Sequence, residues 1–416
     1  MAGIFICIKD SVFIDPACGS GHILVYAFDL LLQMYRESGY RDRDAVRSIL
    51  ERNLAGLEID RRAAAMASFA LTMKACEADG RFLRRGVTPR ITVLERVEFT
   101  DEELGHLPNL SSKKALLDAA AHLDECGSLL QVSDSDMDAI ERDLASLADG
   151  ATLFAGNAEQ KLALLRSELA PLATRYDVVV ANPPYMGSSS LNRWQGAWVK
   201  KRYPQQYRDL CTCFIERGFS LCGDDGANAM ITMQSWMFLG SYERMREALL
   251  KEHSILTMAH LGTRAFGAIG GEVVSTTATV FGSAGSGAPG AYFRLVDMGS
   301  EEEKRAGLLE ALADPGCGWF YRRDASAFAV IPGSPIAYWA SDAMLQAFIN
   351  GTPFGIVGKP SAGITTGNNE VFIHCWWEVG FRHIAFDAQS MDMRPIWARW
   401  FPCNKGGEYR KWYGNR

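Results

Sequence analysis

The chain has 416 residues, 48% of them hydrophobic and 22% charged, a composition that supports a folded core and excludes disorder as the default. A formal net charge of −6 at pH 7 argues against a uniformly basic surface for nucleic acid but leaves room for a local basic groove. The length predicts two domains, or one large α/β domain with appendages.

"SVFID" (11–15) reads as a short strand running into the turn "PACGSG", and from His22 the residues Leu24, Ala27, Phe28, Leu31, Met34 and Tyr35 recur at helical steps. "LAGLEID" (54–60) predicts a second strand leading into the alanine-rich "RRAAAMASFALTMKACEA", and "RITVLERVEF" (90–99) a third. Strands alternating with helices predict a parallel, doubly wound sheet. Residues 100–172 break that rhythm with helix-like stretches, several opening on Ser or Asp caps, and read as a helical insertion between two sheet strands. Further strands are expected in "DVVVA" before Asn182, in "ANAMITMQSWMFL" (227–239) and in the Thr-rich "GGEVVSTTATVFG" near 280. After about residue 300 loops, Pro, Gly and aromatics take over.

No apolar run is long enough to span a bilayer, and "MAGIFICIKDSVF" is broken by Lys9 and Asp10, so a cytoplasmic protein without membrane contact is expected. The ten cysteines are scattered without a CxxC, predicting buried reduced thiols. The seven histidines show no HExxH or HxH, so no metal site is expected.

A glycine-rich turn after a strand usually cradles phosphate. Here Leu24 stands where G-x-G-x-x-G needs a third small residue, and no Gly-Lys-Ser/Thr follows. What remains is Asp15 at a strand end beside Gly19 and Gly21, which suits a ligand with a cationic amino-acid end and no phosphate, namely S-adenosylmethionine. Asp15 would face its ammonium group directly or through water, the glycines would let backbone approach its methionine portion, and Glu58 would accept from both ribose hydroxyls. Taken singly, Glu58 also reads as a surface carboxylate and the glycines as simple chain turns.

"NPPY" (182–185) ends the strand "DVVVA" on an amide, two prolines and an aromatic. The exocyclic amine of adenine is a poor nucleophile because its lone pair is delocalised into the ring. The Asn182 side-chain carbonyl and the Pro183 main-chain carbonyl can bind its two N–H groups and free that lone pair, while Tyr185 stacks on a base flipped out of the duplex. A proline-stiffened turn alone would not need Asn and Tyr around two prolines. Downstream, Arg193, Lys200, Lys201, Arg202 and Arg208 interleave with Trp194, Trp198, Tyr203 and Tyr207, as phosphate contacts and base stacking require; a solvated helix face is the alternative. The tail residues Lys405, Arg410, Lys411 and Trp412 read similarly.

The order "DPACGSG", "GLEID", "NPPYMG" resembles class I amino-methyltransferases acting on DNA adenine. "FIDPACGSGHILVYAFDLL", "NPPYMG", "IPGSPIAYW" and "NKGGEYRKWYGN" are similar to the adenine-specific methyltransferases of BREX phage-defence systems, the PglX type, from about Val12 to Arg416. The resemblance implies an α/β, doubly wound Rossmann-like methyltransferase sheet with a helical insertion, using S-adenosylmethionine on a flipped adenine of double-stranded DNA, in phage defence or restriction-modification and with possible defence-system subunits as partners. It assigns Asp15, Pro16, Ala17, Cys18, Gly19, Ser20, Gly21, Glu58 and Ile59 to the cofactor, and Asn182, Pro183, Pro184 and Tyr185 to catalysis. Phe266 would be the second aromatic against the base, although it also reads as a core Phe before a strand. The expected plan is a methyltransferase domain at 1–300, a connecting region at 301–354 and the start of a C-terminal target-recognition domain at 355–416, with a longer N-terminal region expected upstream and the recognition domain expected to continue past 416. A release-factor-type glutamine methyltransferase, a non-catalytic cofactor-binding subunit of a defence complex, and a type IIG enzyme with a fused nuclease are the alternative readings.

Overall fold

In a computed structural model, which describes residues 8–149, 156–266, 274–283, 289–358, 367–387 and 397–403, Phe13–Asp15 forms β1 and the turn after it opens helix α1, His22–Glu37. Leu24, Phe28, Leu31 and Tyr35 of the expected apolar stripe are buried, and Ala27 and Met34 half-buried. Leu54–Glu58 is β2 and Arg61–Ala78 is α2, whose N-cap Asp60 accepts the Arg62 N–H at 2.8 Å.

The third strand is shorter than expected: β3 is Ile91–Val93 alone. Leu94 N–H still reaches the Glu58 carbonyl at 2.8 Å, but Val97 N–H turns to the Ala120 carbonyl at 3.0 Å, so the backbone leaves the sheet for the insertion. That insertion is helical, with short turns followed by α3, Asp134–Asp149, and α4, Gly156–Ala173. Then come β4 (Tyr176–Ala181), α5 (Arg193–Arg202), α6 (Leu210–Leu221), β5 (Cys222–Met233), α7 (Glu243–Glu252), β6 (His253–Gly262), β7 (Thr276–Ser283), β8 (Gly290–Arg294), α8 (Glu301–Ala313) and β9 (Phe320–Arg323). Residues 267–273, which include the start of the Thr-rich stretch, lie outside the described residues.

Strand β5 stops at Met233 and does not run on to Leu239. Gln234–Met237 forms a tight turn that drives Trp236 wholly into the core, where its Nε1 donates to Thr232 Oγ1 at 3.0 Å.

Among the described residues the nine strands make one sheet in the order β3-β2-β1-β4-β5-β7-β6-β8-β9. From β3 to β5 all pairs are parallel, β7 is antiparallel to both β5 and β6, and β9 is antiparallel to β8. Alternate residues serve opposite faces. Phe13 and Leu54 pack with α1 and α2, whereas Ile14, Ala55 and Leu57 pack with the insertion and α6. This is a doubly wound sheet.

The chain divides into two units, Met1–Asn350 and Gly351–Arg416. Residues 301–350, expected as a connector, belong to the sheet unit. Phe320 pairs with Phe293, Ile336 and Tyr338 are wholly buried, and the buried Arg246 of α7 donates to the carbonyls of Gly333 and Ser334 at 3.0 and 3.2 Å. Their Pro- and Gly-rich composition hides these long-range bonds. In the second unit the short helices Phe354–Val357 and Asn369–Phe372 accompany a cavity of about 650 Å³ walled by aromatics including Trp376, Phe381 and Trp400. Cys18, Cys126, Cys211 and Cys213 are buried free thiols, but Cys375 and Cys403 are exposed, which corrects the expectation that all are buried. Lys405, Arg410, Lys411 and Trp412 lie outside the described residues.

Candidate active site

Between β1 and β4 the sheet reverses its winding, with Phe13 opposite Val178 and Ile14 opposite Val179. Asp177 at the start of β4 fixes that register, its Oδ2 accepting the Val12 N–H at 2.7 Å. Open α/β sheets bind ligands at such a reversal, beyond the carboxyl ends of the strands. There Asp15 ends β1, Glu58 ends β2 and Asn182 follows β4.

A cavity of about 350 Å³ opens at this edge. Of the expected residues Pro16, Ala17, Glu58, Ile59, Asn182 and Pro184 line it. Asp15, Cys18, Gly19, Ser20, Gly21, Pro183 and Tyr185 lie off its wall, in the turn and the loop that shape it. Asp15 is buried, and burial pushes its carboxyl up to about 7, against the pull of the Ala17 N–H, which it accepts at 3.1 Å. The Glu58 carboxylate ties the two strand ends together: Oε2 accepts the Gly19 N–H at 2.7 Å, and Oε1 accepts those of Ile59 and Asp60 at 2.8 and 3.0 Å. Oε1 thus accepts two donors, and Oε2, with one, keeps acceptor capacity for a further donor.

The two glycines of the turn differ. Gly19, at φ 54°, faces open space where a ligand can approach the backbone. Gly21, at φ 84°, faces α2, and a Cβ there would sit 2.9 Å from Ala67 Cβ. Helix packing therefore also requires a glycine here. Cys18 is buried beside Asp15 and Glu58, and burial holds its thiol well above the ordinary range.

In the loop after β4, Asn182 and Pro184 are exposed, Pro183 is buried and Tyr185 is half-buried. The Tyr185 hydroxyl donates to Asn182 Oδ1 at 2.9 Å and to the Ile231 carbonyl at 3.3 Å. Since the prolines offer no N–H, the loop is anchored just beyond them, by Leu210 N–H on the Met186 carbonyl at 3.0 Å and Ser188 N–H on the Arg208 carbonyl at 2.9 Å. Phe266 is half-buried beyond β6.

On α5 and the loop after it, Arg193, Lys200, Lys201, Arg202 and Arg208 are exposed. The aromatics expected to alternate with them are largely occupied. Trp198 and Tyr203 are buried in the core, and Trp194 lies against His122 with ring centroids 4.0 Å apart. Tyr207 lies beneath the cations of Lys200 and Arg208, 5.5 and 5.1 Å from its centroid. The cations match the expectation of a charged face, whereas Trp198 and Tyr203 are not free to stack on bases.

Sequence reasoning missed one wall of the cavity. Glu125, Cys126, Gly127, Ser128 and Leu129, from the helical insertion, line it together with Glu58 and Ile59. No motif marks this segment; only Gly127, at φ 50°, hints at a special backbone. Leu94, Met186, Gln195, Leu210 and Phe214 complete the lining. Among the described residues no three His, Cys, Asp or Glu side chains group as a metal site would require, and no helix is long and apolar enough to cross a membrane.

The strand order and the position of the cavity define a doubly wound, Rossmann-like methyltransferase fold. The chain belongs to the Eco57I restriction-modification methylase family, whose pattern matches residues 52–266, a span that holds Glu58 and the Asn182–Tyr185 loop. It is 39% identical over 423 residues to the adenine-specific methyltransferase PglX of Lacticaseibacillus casei (strain Zhang), covering 98% of this chain and 35% of that protein. It is 40% identical over 438 residues to the adenine-specific methyltransferase BrxX of Escherichia coli O9:H4 (strain HS), covering 97% of this chain and 35% of that one. The chain thus spans about a third of the length of these relatives. Among solved structures, a nuclease-deletion mutant of the Type ISP restriction-modification enzyme LlaGI in complex with a DNA substrate mimic aligns at 14% identity with a TM-score of 0.47, covering 73% of this chain and 23% of that one.

Proposed function

We propose that this protein transfers the methyl group of S-adenosylmethionine to the exocyclic N6 of adenine in DNA, in the cytoplasm, as part of phage defence or restriction-modification. The observation that carries this reading is a single cavity joining Ala17 and Glu58 on one side to Asn182 and Pro184 on the other. The two relatives named as adenine-specific methyltransferases support the choice of adenine.

The donor side fits that cofactor. Asp15 is a buried carboxyl group whose pKa is raised by burial, and an ammonium group beside it would favour the ionised form. Glu58 Oε2 has acceptor capacity for a ribose hydroxyl, Ile59 and Leu94 offer apolar surface for a planar ring, and Gly19 leaves its backbone open. When bound, S-adenosylmethionine supplies a methyl group made electrophilic by its sulfonium.

On the acceptor side, Asn182 Oδ1 and the Pro183 carbonyl would bind the two N–H groups of the target amine and turn its lone pair toward the cavity. These acceptors act most strongly as the nitrogen becomes tetrahedral, so they favour the transition state over the ground state. Tyr185 and Phe266 would hold the flipped base between them, at the cost of releasing the Tyr185 hydroxyl from Asn182. Arg193, Lys200, Lys201, Arg202 and Arg208 would contact DNA phosphates, and protein subunits of a defence system are the proposed partners.

Replacing Asn182 by Ala tests the acceptor role. Calorimetry should give donor affinity near that of the wild type, while methyl transfer falls by roughly two to three decades, as for loss of one oriented hydrogen-bonding group in a catalytic site. Near-normal transfer by Asn182→Ala would remove this mechanism.

A further inference from the structure

Helix α6 follows the catalytic loop and carries Arg217, which is 1% exposed and, among the described residues, forms no ion pair. Its Nε donates to the Ser128 carbonyl at 2.7 Å, Nη2 to the Leu172 carbonyl at 2.9 Å and Nη1 to Ser220 Oγ at 2.7 Å. A guanidinium taken out of water without a carboxylate is a costly way to hold a fold. What it fixes is therefore informative.

Ser128 lies on the cavity wall, and its hydroxyl donates to the carbonyl of Pro16, the first residue of the glycine-rich turn. Next to it Gly127 is pressed on Ile59, where a Cβ would come 3.0 Å from Ile59 Cγ2. The same short segment is held at both ends from the acceptor side: Gln195 Nε2 donates to the Glu125 carbonyl at 2.8 Å, and the Tyr203 hydroxyl donates to the Leu129 carbonyl at 2.5 Å.

We infer that Arg217 is a positioning residue for the methyl-donor site, fixing Ser128 against Pro16 so that Glu125–Leu129 forms a preset wall of the cavity. The inference rests on the reading of that cavity as the S-adenosylmethionine site. Through this bond the helices behind the catalytic loop set the shape of the donor pocket, and a ligand entering it need not order the segment itself.

The test is calorimetric titration of the full chain with S-adenosylmethionine, for the wild type, Ser128→Ala, Arg217→Lys and Arg217→Met, with thermal unfolding of each. Ser128→Ala removes one hydrogen bond and little packing, and is expected to weaken donor binding about tenfold, the effect of one net hydrogen bond, with ligand-free Tm close to that of the wild type. Arg217→Lys keeps the charge but cannot span all three acceptors, so binding weakens and is restored only in part relative to Arg217→Met. Kinetically, KM for the donor rises more than kcat falls. Should Arg217→Met fail to fold, Ser128→Ala and Arg217→Lys decide the matter. Donor binding by both at wild-type affinity overturns the positioning role. A wild-type chain that binds no S-adenosylmethionine overturns the donor reading itself, and the inference with it.

Discussion

If Asp15 holds the ammonium group of the proposed donor, it couples donor binding to pH. Burial pushes its carboxyl up to about 7, opposed by the Ala17 N–H and reinforced by the charge of Glu58. Because the folded pKa lies above the unfolded value of 3.8, the folded state retains this proton to higher pH. The associated stability is complete below about pH 4 and is lost as pH rises through about 7. Asp15→Asn removes that dependence, so its Tm should fall less than that of the wild type between pH 5 and pH 8. Donor binding runs the other way, since an ammonium group prefers the ionised carboxylate. Affinity should rise through about pH 7 and decline once α-amino groups lose their proton near about pH 8. Calorimetry across this range checks both limbs. A flat profile in the wild type, or an acid limb that persists in Asp15→Asn, would show that Asp15 does not hold the charged end of the donor.

The turn between β1 and α1 was legible because its signals are local: a strand, two glycines at positive φ and a helical stripe beginning at His22. What each glycine does was not legible, since Gly21 is required by Ala67 on α2, a neighbour that only the tertiary packing reveals. Gly21→Val should therefore lower Tm by several degrees through clash and backbone strain. Gly19→Ala meets no such neighbour but carries the left-handed strain of its φ of 54°, so its Tm should fall less than that of Gly21→Val while donor affinity also falls; differential scanning calorimetry paired with donor titration separates the two. The same contrast runs through α5. Its basic residues could be read directly, but whether Trp198 and Tyr203 point to solvent or into the core depends on the insertion they pack against, and they point inward. The wall at Glu125–Leu129 was invisible for the same reason. Its place is set by Arg217, Tyr203 and Gln195, none of which lies near it in sequence.

Across the whole chain, alternating strands and helices were enough to expect a doubly wound sheet, and the reversal between β1 and β4 brings the two sequence motifs to one edge. The extent of the sheet unit was underestimated, because β9 and the buried Tyr338 come from a stretch whose Pro and Gly content resembles a linker. Family membership places the chain among restriction-modification methylases, and its relatives are about three times its length. The claim that everything else depends on is the chemical identity of the product. Incubating the protein at low salt with isotopically labelled S-adenosylmethionine and DNA carrying paired or unpaired adenines, then digesting to nucleosides for mass spectrometry, measures it directly. The account predicts label on N6-methyladenine with the wild type and about two to three decades less with Asn182→Ala. Label on cytosine, or on no nucleoside despite measured donor binding, would contradict it.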